Sequence, residues 1–251
     1  MYRLLKSFRY GELDLIYGQT DHLIGLAEIL LLDTYRADLL KNGDTVIDLG
    51  AGIGDFTVLA SKKVGQNGKV IAFEPNTEDF KLLQINAEKN SCKNVIALNL
   101  GVADRPGEKE ISFWGRKYTF RSDTLENVLA RLNISRIHFV KMDIEGFETA
   151  VIRKSIEIVK QADVISIELH GTKDEVDGLL RSHGFAFRPV PWWRGWARFI
   201  QNLVRHTSAS SQALLFTVSA YPKIMTGEVL GRDRFTTGTY IRPAEHAMII
   251  Q

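Results

Sequence analysis

At 251 residues, 45% of them hydrophobic and 25% charged, the chain is long enough to bury a large core and short for two independent domains. A formal net charge of +2 excludes a global electrostatic pull towards nucleic acid, so partners must be argued from local sites. The single cysteine, Cys92, excludes an internal disulfide and a cysteine-rich metal centre.

The start, MYRLLKSFRYGELD, is basic but lacks an apolar run of signal-peptide length. LIGLAEILLL is interrupted by Glu28 and too short to span a bilayer, so a cytoplasmic protein is expected. Leu23, Leu26, Ala27, Leu30, Leu31, Tyr35 and Leu39 recur at helical spacing before the turn KNGD, which predicts a helical segment within residues 1–43. An alternation follows: strand 45–49, helix 55–64, strand 69–74, helix 77–90 and strand 94–100. EKEISFW (108–114) suggests an extra extended segment, and a helix over 124–132 comes next. The alternation then resumes with strand 136–143, helix 147–160, strand 163–170, helix 173–182 and strand 185–190. Short β-branched runs separated by helices predict one α/β domain, a doubly wound, Rossmann-like, mostly parallel sheet over 44–190, with a C-terminal extension over 191–251.

The first strand runs into DLGAGIGDFT. Asp48, Gly50, Ala51, Gly52 and Gly54 thus form D-x-G-x-G-x-G at a strand-to-helix turn, where glycines admit positive φ and the helix start offers unpaired N–H groups. A dinucleotide fingerprint needs a small residue three places on; Asp55 or Thr57 stands there, which disfavours NAD. Glu74 ends the second strand just before Pro75, where a carboxylate can accept from both ribose hydroxyls of a nucleoside cofactor. The bland alternatives are a plain tight turn at the glycines and a solvated turn at Glu74. GVADRPGE (101–108) follows the third strand. The glycine motif resembles the first motif of class I S-adenosylmethionine-dependent methyltransferases, and that resemblance implies an adenine-lining role for Val102, Ala103 and Asp104, although D-R-P-G is also a turn sequence in its own right.

The most unusual stretch is VKMDIEGFE (140–148), where Asp143, Glu145 and Glu148 crowd around Gly146 at a strand end. With VIDLGAGIGDFT (46–57), TLENVL (124–129) and IELH (167–170), it resembles the FkbM family of class I S-adenosylmethionine-dependent methyltransferases, over roughly residues 35 to 190. Glu126 stands where that family usually has Asp after Leu. The resemblance implies methyl transfer from S-adenosylmethionine to a hydroxyl of a small molecule or sugar, leaving S-adenosylhomocysteine. Asp143 and Glu145 are then expected at the cofactor's sulfonium end or the acceptor, and Glu148 in the following helix. Glu168 and His170 share one face of the fifth strand, with His170 a candidate general base or a structural hydrogen-bonder. The same carboxylates with His170 could instead hold a divalent metal, although no metal is assigned.

Other readings stay open. A noncatalytic cofactor-binding scaffold would keep the glycine loop, and methylation of nucleic acid or protein would keep the fold. The Asn/Asp-Pro-Pro-Tyr/Phe signature of amino-methyltransferases is replaced by MDIEGFE, which favours an oxygen acceptor and no nucleic acid partner. PWWRGWARFIQNLVRH (191–206) reads as a helix packed on the core, as a cap over the acceptor, or as an interfacial helix on anionic lipid. TSASSQ (207–212) reads as a linker, ALLFTVSAY (213–221) as a strand, and 231–251 as loop with one last strand. Arg232, Arg234 and Arg242 form an anion-binding face or plain solvated surface.

Overall fold

The computed structural model describes residues 5–113, 116–189 and 235–243. The readings of 191–206, 207–212 and 213–221, and of Arg232 and Arg234, lie outside them.

The N-terminal segment opens differently from the sequence expectation. Lys6–Tyr10 (β1) and Leu13–Tyr17 (β2) form an antiparallel hairpin turning at Gly11, whose φ of 58° suits glycine. Phe8, Leu13, Leu15 and Tyr17 are buried, the alternation of a half-covered ribbon. Thr20–Leu26 (α1) then passes into a wide turn at Ala27–Leu31 and stops. Asp33 and Arg36 adopt φ of 54° and 58°, and Thr34 bonds back to the Glu28 carbonyl through both its N–H and its hydroxyl. Local side-chain bonding thus ends the single helix that the periodicity suggests, and it leaves Tyr35 4% exposed, facing inwards.

The core alternation matches closely. Thr45–Leu49 (β3) leads to Asp55–Val64 (α2), Lys69–Phe73 (β4), Thr77–Lys89 (α3) and Val95–Leu98 (β5). Asn76 caps α3 by accepting from the N–H groups of Glu78 and Asp79. Gly101–Val102 (β6), Gly107–Phe113 (β7) and Arg116–Asp123 (β8) form a small sheet of order β6-β8-β7. The extended segment expected at 108–114 therefore has a hairpin partner that its sequence hid. Leu125–Arg131 (α4) is capped by Thr124 and followed by Phe139–Met142 (β9). The helix expected over 147–160 is split into Glu148–Lys154 (α5) and Ile156–Val159 (α6) at buried Ser155, whose hydroxyl donates to Glu126. Val164–His170 (β10), Lys173–Ser182 (α7), Ala186–Pro189 (β11) and Phe235–Ile241 (β12) complete the described fold.

The central sheet has the order β11-β12-β10-β9-β3-β4-β5. β3, β4, β5, β9 and β10 run parallel, and β12 inserts antiparallel to both neighbours. Two apolar clusters cover the two faces. One includes Ile47, Val140, Ile165 and Leu180; the other includes Val46, Phe56, Val70 and Phe139. The carboxyl ends of β3, β4 and β9 consequently meet at one edge, where ligands bind in such sheets. No helix among the described residues is long and apolar enough to cross a membrane.

Candidate functional site

The loop after β3 is held by contacts that only glycine allows. Gly50 has φ of 75°, and a Cβ there would stand 1.8 Å from the Asp143 carbonyl oxygen, so the β3 and β9 loops touch through it. Asp48, which the sequence placed among the cofactor contacts, is instead fully buried beneath the loop. It accepts the Thr57 hydroxyl at 2.6 Å and lies 3.5 Å from the Lys141 ammonium. Lys141, 3% exposed, donates to the carbonyl of Gly50 and pairs with Asp143 at 3.9 Å. Burial alone would lower this lysine's pKa, but Asp48, Asp143 and Asp55 outweigh it and keep the group charged.

Above the loop lies a cavity of about 960 Å³, lined by Gly50, Gly52, Glu74, Pro75 and Val102 together with Asp143 and Glu145. Glu74 is 6% exposed and accepts from the N–H groups of Gly52 and Asn76, each at 2.7 Å. Burial pushes its carboxyl up to about 7, against the pull of those two amides. Ala51 is buried, with its N–H bonded to the Phe73 carbonyl. Two residues expected at the adenine are placed elsewhere. The Ala103 N–H is bonded to Asp123, and Asp104 is drawn to Lys109 at 2.7 Å, outside the cavity wall. The wall there is built instead by Tyr118, Thr119 and Phe120 of β8, with Phe147 packed edge-on to Phe120.

The carboxylates of VKMDIEGFE sort into distinct positions. Glu145 has φ of 54°, a backbone state that L residues rarely hold, and lines the cavity with its side chain 34% exposed. Burial pushes its carboxyl up to about 7. Glu148 does begin a helix, yet it is fully buried and accepts from the Gly146 N–H and the Thr172 hydroxyl while bonding His170 Nδ1 at 2.8 Å. Burial works to raise its pKa, and the His170 and Gly146 bonds overcome that and hold it low.

His170 Nε2 stands 3.3 Å from Glu145 and 3.7 Å from Asp143. Burial opposes its charge, but the Glu148 bond and the Glu145 and Asp143 carboxylates push it up to about 9. His170 thus holds its proton more tightly than a free imidazole does, and its bond to Glu148 fixes the ring. Glu168 and Asp143 come together, as β10 and β9 are adjacent, and the Tyr35 hydroxyl lies 2.8 Å from one and 2.9 Å from the other. Burial, then the Asp143 charge, pushes Glu168 up to about 7. From sequence alone Tyr35 reads as part of the leading helix, Glu148 as part of the helix after β9, and Lys141 carries no role. The lysine's place two before Asp143, on the same strand face, was the one available signal.

Residues 48–187 match the model of the methyltransferase FkbM domain, more than half of the chain. The chain belongs to the FkbM methyltransferase family. S-adenosylmethionine, with S-adenosylhomocysteine as its product, is the cofactor expected of it. The loop geometry and the buried Glu74 fit such a nucleoside. Among curated relatives, a probable cobalt-precorrin-6B C(15)-methyltransferase of Saccharolobus solfataricus is 41% identical over 26% of this FkbM chain and 32% of its own length. The hexuronic acid methyltransferase AglP of Haloferax volcanii is 24% identical over 59% and 63%. The FkbM chain thus spans less than two thirds of either relative. Solved structures of similar shape include a Methanocaldococcus jannaschii tRNA m1G37 methyltransferase, 15% identical, TM-score 0.49, covering 97% of this chain and 59% of its own. A Geobacter metallireducens precorrin-6y C5,15-methyltransferase is 16% identical, with TM-score 0.44 and coverage of 69% and 76%.

Proposed function

We propose that this FkbM protein is a methyltransferase that moves a methyl group from S-adenosylmethionine to a hydroxyl oxygen of a polyhydroxylated small molecule or glycan. The observation that carries this reading is continuity: the glycine loop and Glu74 line the same cavity as Asp143 and Glu145. When bound there, S-adenosylmethionine supplies an electrophilic methyl on a positively charged sulfur.

The residues supply the rest. Glu74 offers paired acceptor oxygens to ribose hydroxyls, and the Gly50 and Gly52 backbone lets a ligand lie close. Asp143 and Glu145 place negative charge where the sulfonium belongs, and Glu145, aimed into the cavity by its left-handed backbone, is positioned to take the acceptor's proton. His170 and Lys141 counterbalance these carboxylates from behind. Six carboxylates line the cavity, Asp21, Glu74, Glu78, Asp79, Asp143 and Glu145, an environment that repels a phosphate chain. This supports a small hydroxylated acceptor over nucleic acid, and the similarity to AglP, named a hexuronic acid methyltransferase, agrees with a sugar-like class.

The test is transfer of labelled methyl from S-adenosylmethionine to a panel of glycosides, with the label located on oxygen. Glu145→Gln should lower kcat at least 100-fold while the Kd for S-adenosylhomocysteine changes less than threefold. Cofactor binding with no transfer across a broad panel would favour the scaffold reading; label on nitrogen or on RNA would reassign the acceptor.

A further inference from the structure

We propose that Asp143, Glu168 and His170 form a divalent-cation site at the carboxyl edge of β9 and β10, beside the acceptor end of the cavity. Each offers one ligand atom, and these atoms lie within 4.8 Å of one another. Drawing them to about 3 to 4 Å apart, a small side-chain adjustment, would bring all three to the roughly 2.1 Å that Mg²⁺, Mn²⁺ or Zn²⁺ requires.

The surroundings are those that ligands need. Tyr35 Oη contacts Oδ2 of Asp143 and Oε2 of Glu168, which orients the other oxygen of each carboxylate for an ion. Glu148, fully buried, holds Nδ1 of His170 and so fixes Nε2 on the side of Asp143 and Glu145. Ligation through Nε2 releases its proton to solvent, and Nδ1–H keeps donating to Glu148. A separate observation comes from the N-terminal segment. Glu28 stands close enough to Glu168, Asp143 and Asp55 to feel the charge of all three. Four carboxylates from four separate segments lie near one another there, and a divalent cation would add to the positive charge of Lys141 and His170.

The donor set, two carboxylate oxygens and one imidazole, suits Mn²⁺ or Mg²⁺, and three protein ligands leave positions for water and an acceptor oxygen. A cation at this edge would lower the proton affinity of a hydroxyl beside it. That use rests on the methyl-transfer reading; ion binding does not.

The experiment is calorimetric titration of the full chain, stripped with EDTA, with MnCl₂, together with the loss of the free Mn²⁺ spin-resonance signal. One ion per chain at micromolar Kd is expected, weakened at least tenfold in Glu168→Gln and in His170→Gln. S-adenosylhomocysteine affinity should stay within threefold, and circular dichroism melts show which variants remain folded. No saturable Mn²⁺ uptake by wild type up to 1 mM, or uptake that a folded variant of either kind leaves unchanged, overturns the site. Methyl transfer that survives EDTA without a bound ion overturns its catalytic use alone. Mn²⁺ bound as expected in a protein that transfers no methyl would refute the methyl-transfer reading and leave the ion site standing.

Discussion

Replacing Glu74 by Gln separates what this carboxylate costs the fold from what it contributes to the ligand. Glu74 is 6% exposed, and its pKa moves from 4.5 to about 7 on folding. A raised carboxyl pKa gives stability that is fully present below 4.5 and is lost as pH rises through 7. At about 1.4 kcal/mol per unit, a rise of about 2.5 units amounts to roughly 3 kcal/mol. Gln does not titrate. Its amide accepts well from only one of the Gly52 and Asn76 N–H groups, an offset of about 1 kcal/mol that does not change with pH. Urea unfolding of both proteins from pH 5 to 8 should therefore show the variant gaining about 2 to 3 kcal/mol on wild type across that range. The same substitution should weaken S-adenosylhomocysteine binding by about 10- to 100-fold at pH 8, through lost charge-assisted hydrogen bonds to ribose. A difference in stability that stays flat with pH would refute the burial argument. Unchanged affinity would refute the ribose role.

Lys141→Met should destabilise the protein by about 3 to 5 kcal/mol in denaturant melts, because it leaves Asp48 buried without its counter-charge. Gly50→Ala should abolish cofactor binding and lower the melting temperature, since its methyl would collide with the Asp143 carbonyl at a backbone angle suited to glycine; a variant that binds as wild type would contradict the loop geometry. Asn86, fully buried, bonds the N–H and the carbonyl of Ile16 and the carbonyl of Ile53. Asn86→Ala should cost roughly 2 to 4 kcal/mol and raise amide exchange selectively in β2, read by hydrogen exchange.

The parallel core was readable because its strands are buried on both faces. That demands short β-branched runs such as TVIDL, and the intervening helices carry their own caps, as at Asn76. The hairpin at 6–17 and strand β8 escaped notice because each exposes one side, so RKYTFRSD mixes charge with aromatic residues and lacks a core-strand pattern. The glycine loop, Glu74 and the Asp143–Glu145 pair announced themselves through local spacing. Their partners did not: Tyr35 lies 108 residues from Asp143, Lys141 lies 91 from Gly50, and Glu148 lies 22 from His170. His170 was read as a base or a structural hydrogen-bonder from its place at a strand end, and its pairing with the buried Glu148 on one side and Glu145 and Asp143 on the other arises only in the fold. Asp104 was drawn away by Lys109, a competition invisible before the β7–β8 hairpin is folded.

Methyl transfer by this protein requires cofactor binding in the cavity above Gly50. Calorimetric titration of the wild-type protein with S-adenosylmethionine, S-adenosylhomocysteine and NAD tests it directly. Micromolar, one-to-one binding of both sulfur compounds with no heat from NAD is the predicted result. No binding of either sulfur compound at millimolar concentration would contradict it.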